Sequence, residues 1–330
     1  MEHWVSFPQL GWTFPLPQTV VEFSLFGLPI HIRYYGLLIA VGFLLAILYA
    51  YKRAPQLGIN RDRMIDVVLV AAVVGVLCAR LYYVLFADPG YYFSHPDKIL
   101  AIWDGGLAIY GGLIGGFGSG LLMCRFRKVN ALALFDLAAI GFLIGQSIGR
   151  WGNFFNQEAY GGNTTLPWGM TGDQIQSGVH GLVEDQTLPV HPTFLYESLW
   201  CALGILILHI LFKKAYKFNG QIFAGYLIWY GGGRALIESL RADSLYLGPI
   251  RISQLVGIVS VVAGIGMMIF LAWRAKRAGW AEIAVCTGCP TDIEEITKEE
   301  ARALREQEEQ EESGECLPQE EEADSDGHTD

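Results

Sequence analysis

The chain has 330 residues, of which 52% are hydrophobic and only 17% are charged. Soluble domains carry about 25% charged residues, so this composition excludes two ordinary soluble globules and indicates a membrane protein. The net charge of −10 comes from the end of the chain, since residues 281–330 hold 18 acidic and 3 basic residues whereas residues 1–280 hold 15 acidic and 20 basic ones. Those basic residues stand in short clusters between apolar runs, which argues against nucleic-acid binding.

Seven apolar runs predict transmembrane helices, because about 20 apolar residues are needed to cross a bilayer. Three of the runs contain no charge, and four contain one or two isolated charges. The predicted spans are residues 34–51, 64–86, 107–124, 131–149, 193–212, 222–240 and 252–273. The expected fold class is therefore an all-α polytopic membrane protein with seven transmembrane helices.

Basic residues predict the orientation of these spans, because Lys and Arg favour short cytoplasmic loops. A basic cluster follows every odd-numbered span, and these clusters are Lys52, Arg53, Arg61 and Arg63, then Arg125, Arg127 and Lys128, then Lys213, Lys214 and Lys217, then Arg274, Lys276 and Arg277. We therefore expect the N-terminus outside and the C-terminus in the cytoplasm.

The segments around the spans complete the predicted organisation. Residues 1–33, which are rich in aromatic residues and proline, are expected to form an arm at the outer membrane interface. Spans one to four occupy residues 34–150, a small extracytoplasmic head occupies residues 151–192, and spans five to seven occupy residues 193–280. Residues 281–330 are too acidic to fold alone and are expected to be a disordered cytoplasmic tail.

Ionisable residues at membrane depth are costly and are candidates for function. The sixth predicted span carries Tyr230, Arg234, Glu238 and Arg241, whose spacings of 4, 4 and 3 residues put them on one face of a continuous helix. Pairing of Arg234 with Glu238 within the helix would explain two of these charges structurally. The excess positive charge from Arg241 and the neighbouring glycines favour a functional site.

A second polar cluster stands at the end of the fourth span, in the run from Arg150 to Gly161. Arg150 and Asn153 share a helical face, and Glu158 follows in a run of Asn, Gln and Gly. An arginine fork fits a phosphate group with two hydrogen bonds. An arginine that merely reaches the membrane surface would account for Arg150 but not for the polar residues after it.

Other motifs are weaker or excluded. The third span opens with a glycine-rich run that contains Tyr110, and Gly112 and Gly116 in it form a GxxxG pattern typical of close helix packing. Gly145 to Gly149 match the GxSxG pattern but lie inside a helix, where the strand-to-helix turn of a hydrolase cannot form. No residues have the spacing of a metal site, and Cys286 with Cys289 is a weak metal or redox signal.

Arginines backed by Asn, Glu and Tyr near one membrane surface favour an anionic phosphate with apolar tails, which is a phospholipid. Two hypotheses follow: a lipid-modifying enzyme, and a phospholipid or anion transporter. Transporters often contain internal repeats, and no repeat relates the two halves of this sequence. The enzyme is therefore favoured.

Residues 28–275 strongly resemble the bacterial prolipoprotein diacylglyceryl transferases. The motifs that carry the resemblance are Arg33-Tyr34-Tyr35-Gly36, Gly105-Gly106-Leu107, Tyr110-Gly111-Gly112-Leu113-Ile114-Gly115-Gly116, Asp136, the run Gly149 to Gly161, His191-Pro192-Thr193 through Leu195-Tyr196-Glu197, and Tyr230 with Arg234, Glu238 and Arg241. The resemblance implies a multi-pass enzyme of the bacterial plasma membrane with its N-terminus outside. It also implies transfer of the sn-1,2-diacylglyceryl group from phosphatidylglycerol to the lipobox cysteine of preprolipoproteins, with formation of a thioether and release of glycerol-1-phosphate.

By position, the resemblance implies a set of site residues and no cofactor or metal. Catalytic roles fall to Arg150, Arg234, Tyr110, Glu158 and Glu238, and contacts with phosphatidylglycerol fall to Arg150, Asn153, Tyr35, Gly161, Tyr230 and Arg234. Tyr110 stands where many members of the family have histidine, which counts against a mechanism that needs an imidazole base there. The acidic tail lies outside the region of resemblance.

Overall fold

The computed structural model describes residues 3–25, 28–87, 89–101, 105–180, 183–242, 244 and 246–277. The helices are α1 Tyr34–Arg53, α2 Arg61–Phe86, α3 Pro89–Ser94, α4 Ile109–Arg127, α5 Ala131–Asn156, α6 Asp173–Ser177, α7 Thr193–Lys214, α8 Gln221–Ile237 and α9 Ile252–Arg277. The strands are β1 Trp4–Phe7, β2 Trp12–Pro15, β3 Thr19–Leu25, β4 Leu28–Arg33, β5 Thr171–Gly172, β6 Tyr246–Leu247 and β7 Ile250–Arg251. The predicted tail at residues 281–330 lies outside the described residues.

Each of the seven predicted spans falls on a long helix, and the mostly helical fold is confirmed. Five helical segments of the described chain are long and apolar enough to cross a membrane: Tyr34–Leu57, Arg61–Phe86, Ala131–Asn156, Thr193–Lys214 and Ile252–Arg277. The other two are α4, whose glycines lower its hydropathy, and α8, which has only 17 residues. The chain is thus a multi-pass membrane protein.

The helices pack as closely matched pairs, with α2 against α4, α1 against α5 and α8 against α9. Small residues allow the closest approach, because a β-carbon at Gly111 would lie 2.9 Å from the Cα atom of Ala79. Gly112 and Gly116 of the predicted GxxxG pattern also face α2. Helix α5 packs in addition against α7 and α8, so it holds the centre of the bundle.

Two charges inside the predicted spans hold the fold together. Asp136 is fully buried and accepts hydrogen bonds from the backbone N–H groups of Gly220, at 2.6 Å, and Phe223, at 2.8 Å, which satisfies the first turn of α8. Arg80 is also buried and donates to backbone carbonyls of the segment before α4, including those of Ile99 at 2.9 Å and Gly106 at 3.0 Å. Both charges are fully explained as structural.

The polar segment after α5 packs together with the first two strands. This region is here named the head and is defined as residues 157–192 with β1 and β2. Strand β1 lies between β2 and β5, with antiparallel pairing on both sides. Buried side chains of both segments share a core that includes Val5, Leu16, Met170 and Ile175. The first half of the predicted arm therefore packs with the head.

A hydrogen-bonded carboxylate fastens the first strand to residues 157–192 of the head. Asp173 accepts from the backbone N–H of Trp4 at 3.0 Å and from the Gln157 amide at 2.8 Å, and it pairs with the His3 ring at 2.6 Å. Burial acts to raise the pKa of Asp173, but these hydrogen bonds outweigh it and lower the pKa to about 2. The carboxylate is therefore charged at neutral pH.

The sixth predicted span ends earlier than expected, which is a correction to its predicted bounds. Helix α8 stops at Ile237, residues Glu238–Leu240 form a 3₁₀ turn, and Arg241 is extended. The reason is that the backbone at this point forms hydrogen bonds with the head instead of continuing the helix. Gly162 N–H donates to the Leu240 carbonyl at 2.9 Å, and Arg241 pairs with Gly161 as an isolated bridge. Tyr230, Arg234, Glu238 and Arg241 consequently do not share one continuous helical face.

Candidate active site

The two polar clusters predicted from the sequence meet around a single carboxylate, that of Glu197 in the first turns of α7. Arg150 of α5 forms an ion pair with Glu197 Oε2. Arg234 of α8 donates to Glu197 Oε1 at 2.9 Å, and Arg241 approaches the same oxygen at 3.6 Å. Three guanidinium groups from separate segments thus converge on one side chain that is only 5% exposed.

Arg234 lies between two carboxylates. Its second terminal nitrogen is 2.7 Å from Glu238 Oε2, which is the intrahelical pair expected from the i, i+4 spacing. The Glu238 side chain is 1% exposed, and its backbone carbonyl accepts a hydrogen bond from Arg251. The predicted pair therefore forms, with Glu238 at the start of the 3₁₀ turn that follows α8, and Arg234 also connects α8 to α7.

The run after Arg150 folds back over the end of α5. Gln157 adopts a left-handed conformation, with φ of 50°, and ends the helix. The chain then turns so that the Glu158 carboxylate accepts from the amides of Asn153, at 2.8 Å, and Asn156, at 3.3 Å. Asn153 in turn accepts from Arg150 at 3.3 Å. A continuous hydrogen-bonded chain therefore runs from Glu158 through Asn153 to Arg150.

Gly161 joins the head to the end of α8 by close backbone contact. A β-carbon at this position would lie 2.7 Å from both the His191 Cβ atom and the Leu240 carbonyl oxygen. Side chains are not tolerated at such distances without a shift of backbone, so the position requires glycine. The contact fixes the place where the chain leaves the 3₁₀ turn at Arg241, and it puts Gly161 beside Arg241.

Two tyrosines predicted for the site line the same region. The ring of Tyr35 packs on Gly152, where a β-carbon would lie 3.0 Å from Tyr35 Cε2, and Tyr35 interacts electrostatically with Arg150 and Glu158. Tyr230 stacks on Tyr226 with ring centroids 5.5 Å apart and interacts with the charges around Glu197. Both phenol groups therefore border the arginine cluster.

Tyr110 stands apart from this assembly. It is the second residue of α4 and is 53% exposed, and its ring contact is with Tyr82 of α2 at 6.4 Å. The structure thus brings together Arg150, Asn153, Glu158, Gly161, Tyr35, Tyr230, Arg234 and Glu238 but leaves Tyr110 at the edge of α2 and α4.

Glu197 is the site residue that sequence reasoning did not select. It was visible as an isolated carboxylate in an apolar run, at the end of the His191 motif. Its partners could not be read from the sequence, because they come from helices far apart in the chain.

His191 itself lies just before α7, where burial lowers the pKa of its ring below the usual value and Tyr196 is its hydrogen-bond partner at 3.2 Å. The imidazole is therefore neutral at pH 7.

The arrangement offers several guanidinium N–H groups to an anion at one end of a bundle with apolar flanks. Among the described residues, no group of three or more His, Cys, Asp or Glu side chains is arranged to hold a metal ion. Glu197 and Glu238 neutralise part of the arginine charge. Such a site is suited to recognise an oxyanion attached to apolar chains.

Comparison with known proteins supports the same family that the sequence motifs indicate. A sequence model of the family described as prolipoprotein diacylglyceryl transferase matches residues 21–270. The chain belongs to this family. Relatives named phosphatidylglycerol–prolipoprotein diacylglyceryl transferase include that of Clostridioides difficile, 42% identical over 257 residues that cover 78% of this chain and 97% of the relative. That of Clostridium novyi is 46% identical over 250 residues, covering 76% and 94%, and that of Lysinibacillus sphaericus is 44% identical over 259 residues, covering 76% and 92%.

These matches confirm the family predicted from the motifs. They also confirm the prediction that the chain is a transferase. The family match spans the arginine cluster and residues 157–192 of the head, and it ends inside α9. The acidic residues 281–330 therefore lie outside the family region, as expected from the sequence.

Proposed function

We propose that the chain transfers the sn-1,2-diacylglyceryl group of phosphatidylglycerol to the lipobox cysteine thiol of preprolipoproteins, as the first step of bacterial lipoprotein maturation. The observation that carries the proposal is the convergence of Arg150, Arg234 and Arg241 on Glu197 in a member of this family. A cluster of guanidinium groups beside apolar helices matches a substrate that is a phosphate with two acyl chains.

The chemistry follows from where charge develops. The cysteine thiolate attacks the glyceryl carbon next to the phosphate ester, so that a C–S bond forms as the C–O bond breaks. The electron pair of the broken bond leaves with glycerol-1-phosphate. Donors that already face the phosphate stabilise this developing charge more than they stabilise the ground state.

Within this scheme, Arg150 and Arg234 hold the phosphate group. Asn153 and Glu158 fix the direction of Arg150 through the hydrogen-bonded chain that joins them, and Glu238 fixes Arg234. Tyr35, Tyr230 and Gly161 complete the lipid-binding surface. No cofactor or metal takes part.

Tyr110 is proposed to donate a hydrogen bond to the lipid rather than to accept the thiol proton. The ring contact of Tyr110 is with Tyr82 of α2, and the ion pairs that Glu197 forms with Arg150, Arg234 and Arg241 do not involve it. Its exposed position at the start of α4 leaves its hydroxyl open to a lipid that enters the bundle.

For the topology, we propose seven transmembrane spans with the N-terminus outside and the C-terminus inside the bacterial plasma membrane. The basic clusters at the ends of α1, α4, α7 and α9 support this orientation. The arm (1–33) and the head then lie on the outer surface, where the arginines meet both phosphatidylglycerol and exported preprolipoproteins. Residues 281–330 form a cytoplasmic tail that plays no part in transfer.

The test is labelling of a lipobox peptide by the purified protein in vesicles that contain radiolabelled phosphatidylglycerol. We expect label on the peptide that depends on phosphatidylglycerol, with release of glycerol-1-phosphate. A peptide with serine in place of the lipobox cysteine is the matched control and should stay unlabelled. Absence of label together with lipid or anion flux in proteoliposomes would instead establish a transporter.

A further inference from the structure

Glu197 is a buried carboxylate shared by three arginines, and none of the roles above accounts for it. One carboxylate oxygen contacts Arg234 and Arg241, and the other contacts Arg150. The three arginines come from α5, from α8 and from the extended residue after the 3₁₀ turn, and Glu197 comes from α7. The residue therefore connects every element that supplies a guanidinium group to the cluster.

We infer that Glu197 is a positioning residue for diacylglyceryl transfer, which orients the three arginines toward the lipid phosphate and offsets their mutual repulsion; the inference rests on the proposed function. Like charges at short distance in a poorly solvated site repel strongly. Without the carboxylate, the guanidinium groups separate and lose the common direction that transition-state stabilisation requires.

The geometry of the cluster favours this role over simple cross-linking of helices. The interfaces of α7 with α5 and α8 already contain other contacts, such as Ser147 with Ser198 at 3.3 Å and Trp200 with Trp229, stacked 4.5 Å apart. Breaking a buried ion pair leaves an unpaired charge and lowers stability, so stability alone does not separate the two roles. The separation must come from how the effects of Glu197 and of its partners combine.

The experiment measures kcat and KM for phosphatidylglycerol in Glu197→Gln, Arg241→Gln and the double variant. For Glu197→Gln we expect a fall in kcat of about 100-fold, the scale of a small misplacement in a preorganised site. Because both residues act on the same cluster, the double variant should lie within about threefold of Glu197→Gln alone. A purely structural Glu197 would instead leave the kcat per folded molecule unchanged in Glu197→Gln.

Two further variants guard against misfolding. Glu197→Asp keeps the charge with a shorter reach, so it should recover at least about tenfold of the activity lost in Glu197→Gln. Asp66→Asn removes the carboxylate of the exposed Asp66–Arg127 pair and should keep wild-type kcat. Thermal unfolding of each variant reports the folded fraction.

The outcomes are distinct. If the wild-type protein transfers the diacylglyceryl group, the proposed function stands whatever the variants do. The positioning role would then be overturned by an unchanged kcat in Glu197→Gln, or by losses that multiply in the double variant. Loss of kcat in Glu197→Gln that follows only the unfolded fraction would overturn it as well. A wild-type protein that transfers no diacylglyceryl group would overturn both the proposed function and this inference.

Discussion

Substitution of Arg234 by lysine tests the arginine cluster most directly, because charge is kept and only geometry is lost. The two terminal nitrogens of Arg234 reach two different carboxylates, Glu197 at 2.9 Å and Glu238 at 2.7 Å. A lysine ammonium is a single point charge and cannot span both while it also faces a phosphate. One of the two buried carboxylates, Glu197 or Glu238, thus loses its contact with residue 234.

The magnitude follows from this loss. Removing one donor that faces a developing anion costs about 3 to 4 kcal/mol of barrier, or two to three decades in rate. Leaving a buried acceptor unpaired costs a further ~1–3 kcal/mol of folding stability. Arg234→Lys should therefore lose about 100- to 1,000-fold in kcat with a moderate fall in unfolding temperature. Arg150→Lys should be impaired to a similar extent.

The assay is the initial rate of peptide labelling at saturating phosphatidylglycerol, together with thermal unfolding of the same preparation. Arg127→Lys is the matched control, because Arg127 is 43% exposed and pairs with the exposed Asp66, a contact worth at most about 1 kcal/mol. Arg127 and Arg150 are far apart, since 19 residues of α5 separate Ala131 from Arg150 and span about 28 Å. A kcat of Arg234→Lys within threefold of wild type would refute the reasoning.

The remaining predictions concern the edges of the site, the topology and the head. Tyr110→His should keep substantial activity because imidazole also donates, whereas Tyr110→Phe should lose activity at all pH values; if Tyr110→Phe equals wild type with a pre-ionised thiol surrogate but fails with the ordinary thiol, the tyrosine is the base. Truncation after Arg277 should leave transfer activity nearly intact, and a loss above tenfold at equal membrane abundance would contradict this. Reporters should show cytoplasmic activity when fused after residue 280 and external activity in the loop 162–188. Asp173→Asn should lower stability by about 2 kcal/mol at pH 6, and the difference from wild type should vanish as the pH falls from about 4 through 2, because the native carboxylate with its pKa of about 2 then becomes protonated; thermal unfolding across this range measures it.

Local patterns in the sequence were sufficient to predict the bundle. Apolar length predicts each long helix. The Arg234–Glu238 pair was also predictable, because it depends only on helical spacing. These features involve residues within one or two turns of each other.

Features that depend on distant partners were not predictable. Strand β1 pairs with β5 across more than 160 residues, and no spacing rule identifies such a partner. Asp136 was a functional candidate as an isolated charge, but its partners are the backbone N–H groups at the start of α8. Glu197 was overlooked for the same reason, because its significance lies in the three arginines that tertiary packing brings to it.

The early end of α8 links the head to the chemistry of the bundle. Had the helix continued, the backbone around Leu240 would bond within the helix, but it bonds instead to residues 160–162 of the head, through Gly162 N–H and the Tyr160 carbonyl. Arg241 is set in place by this capture, and Arg241 is one of the three partners of Glu197. The close approach that requires glycine at position 161 therefore acts on the arginine cluster through the backbone. The position of the head therefore helps to determine the geometry of the arginine cluster.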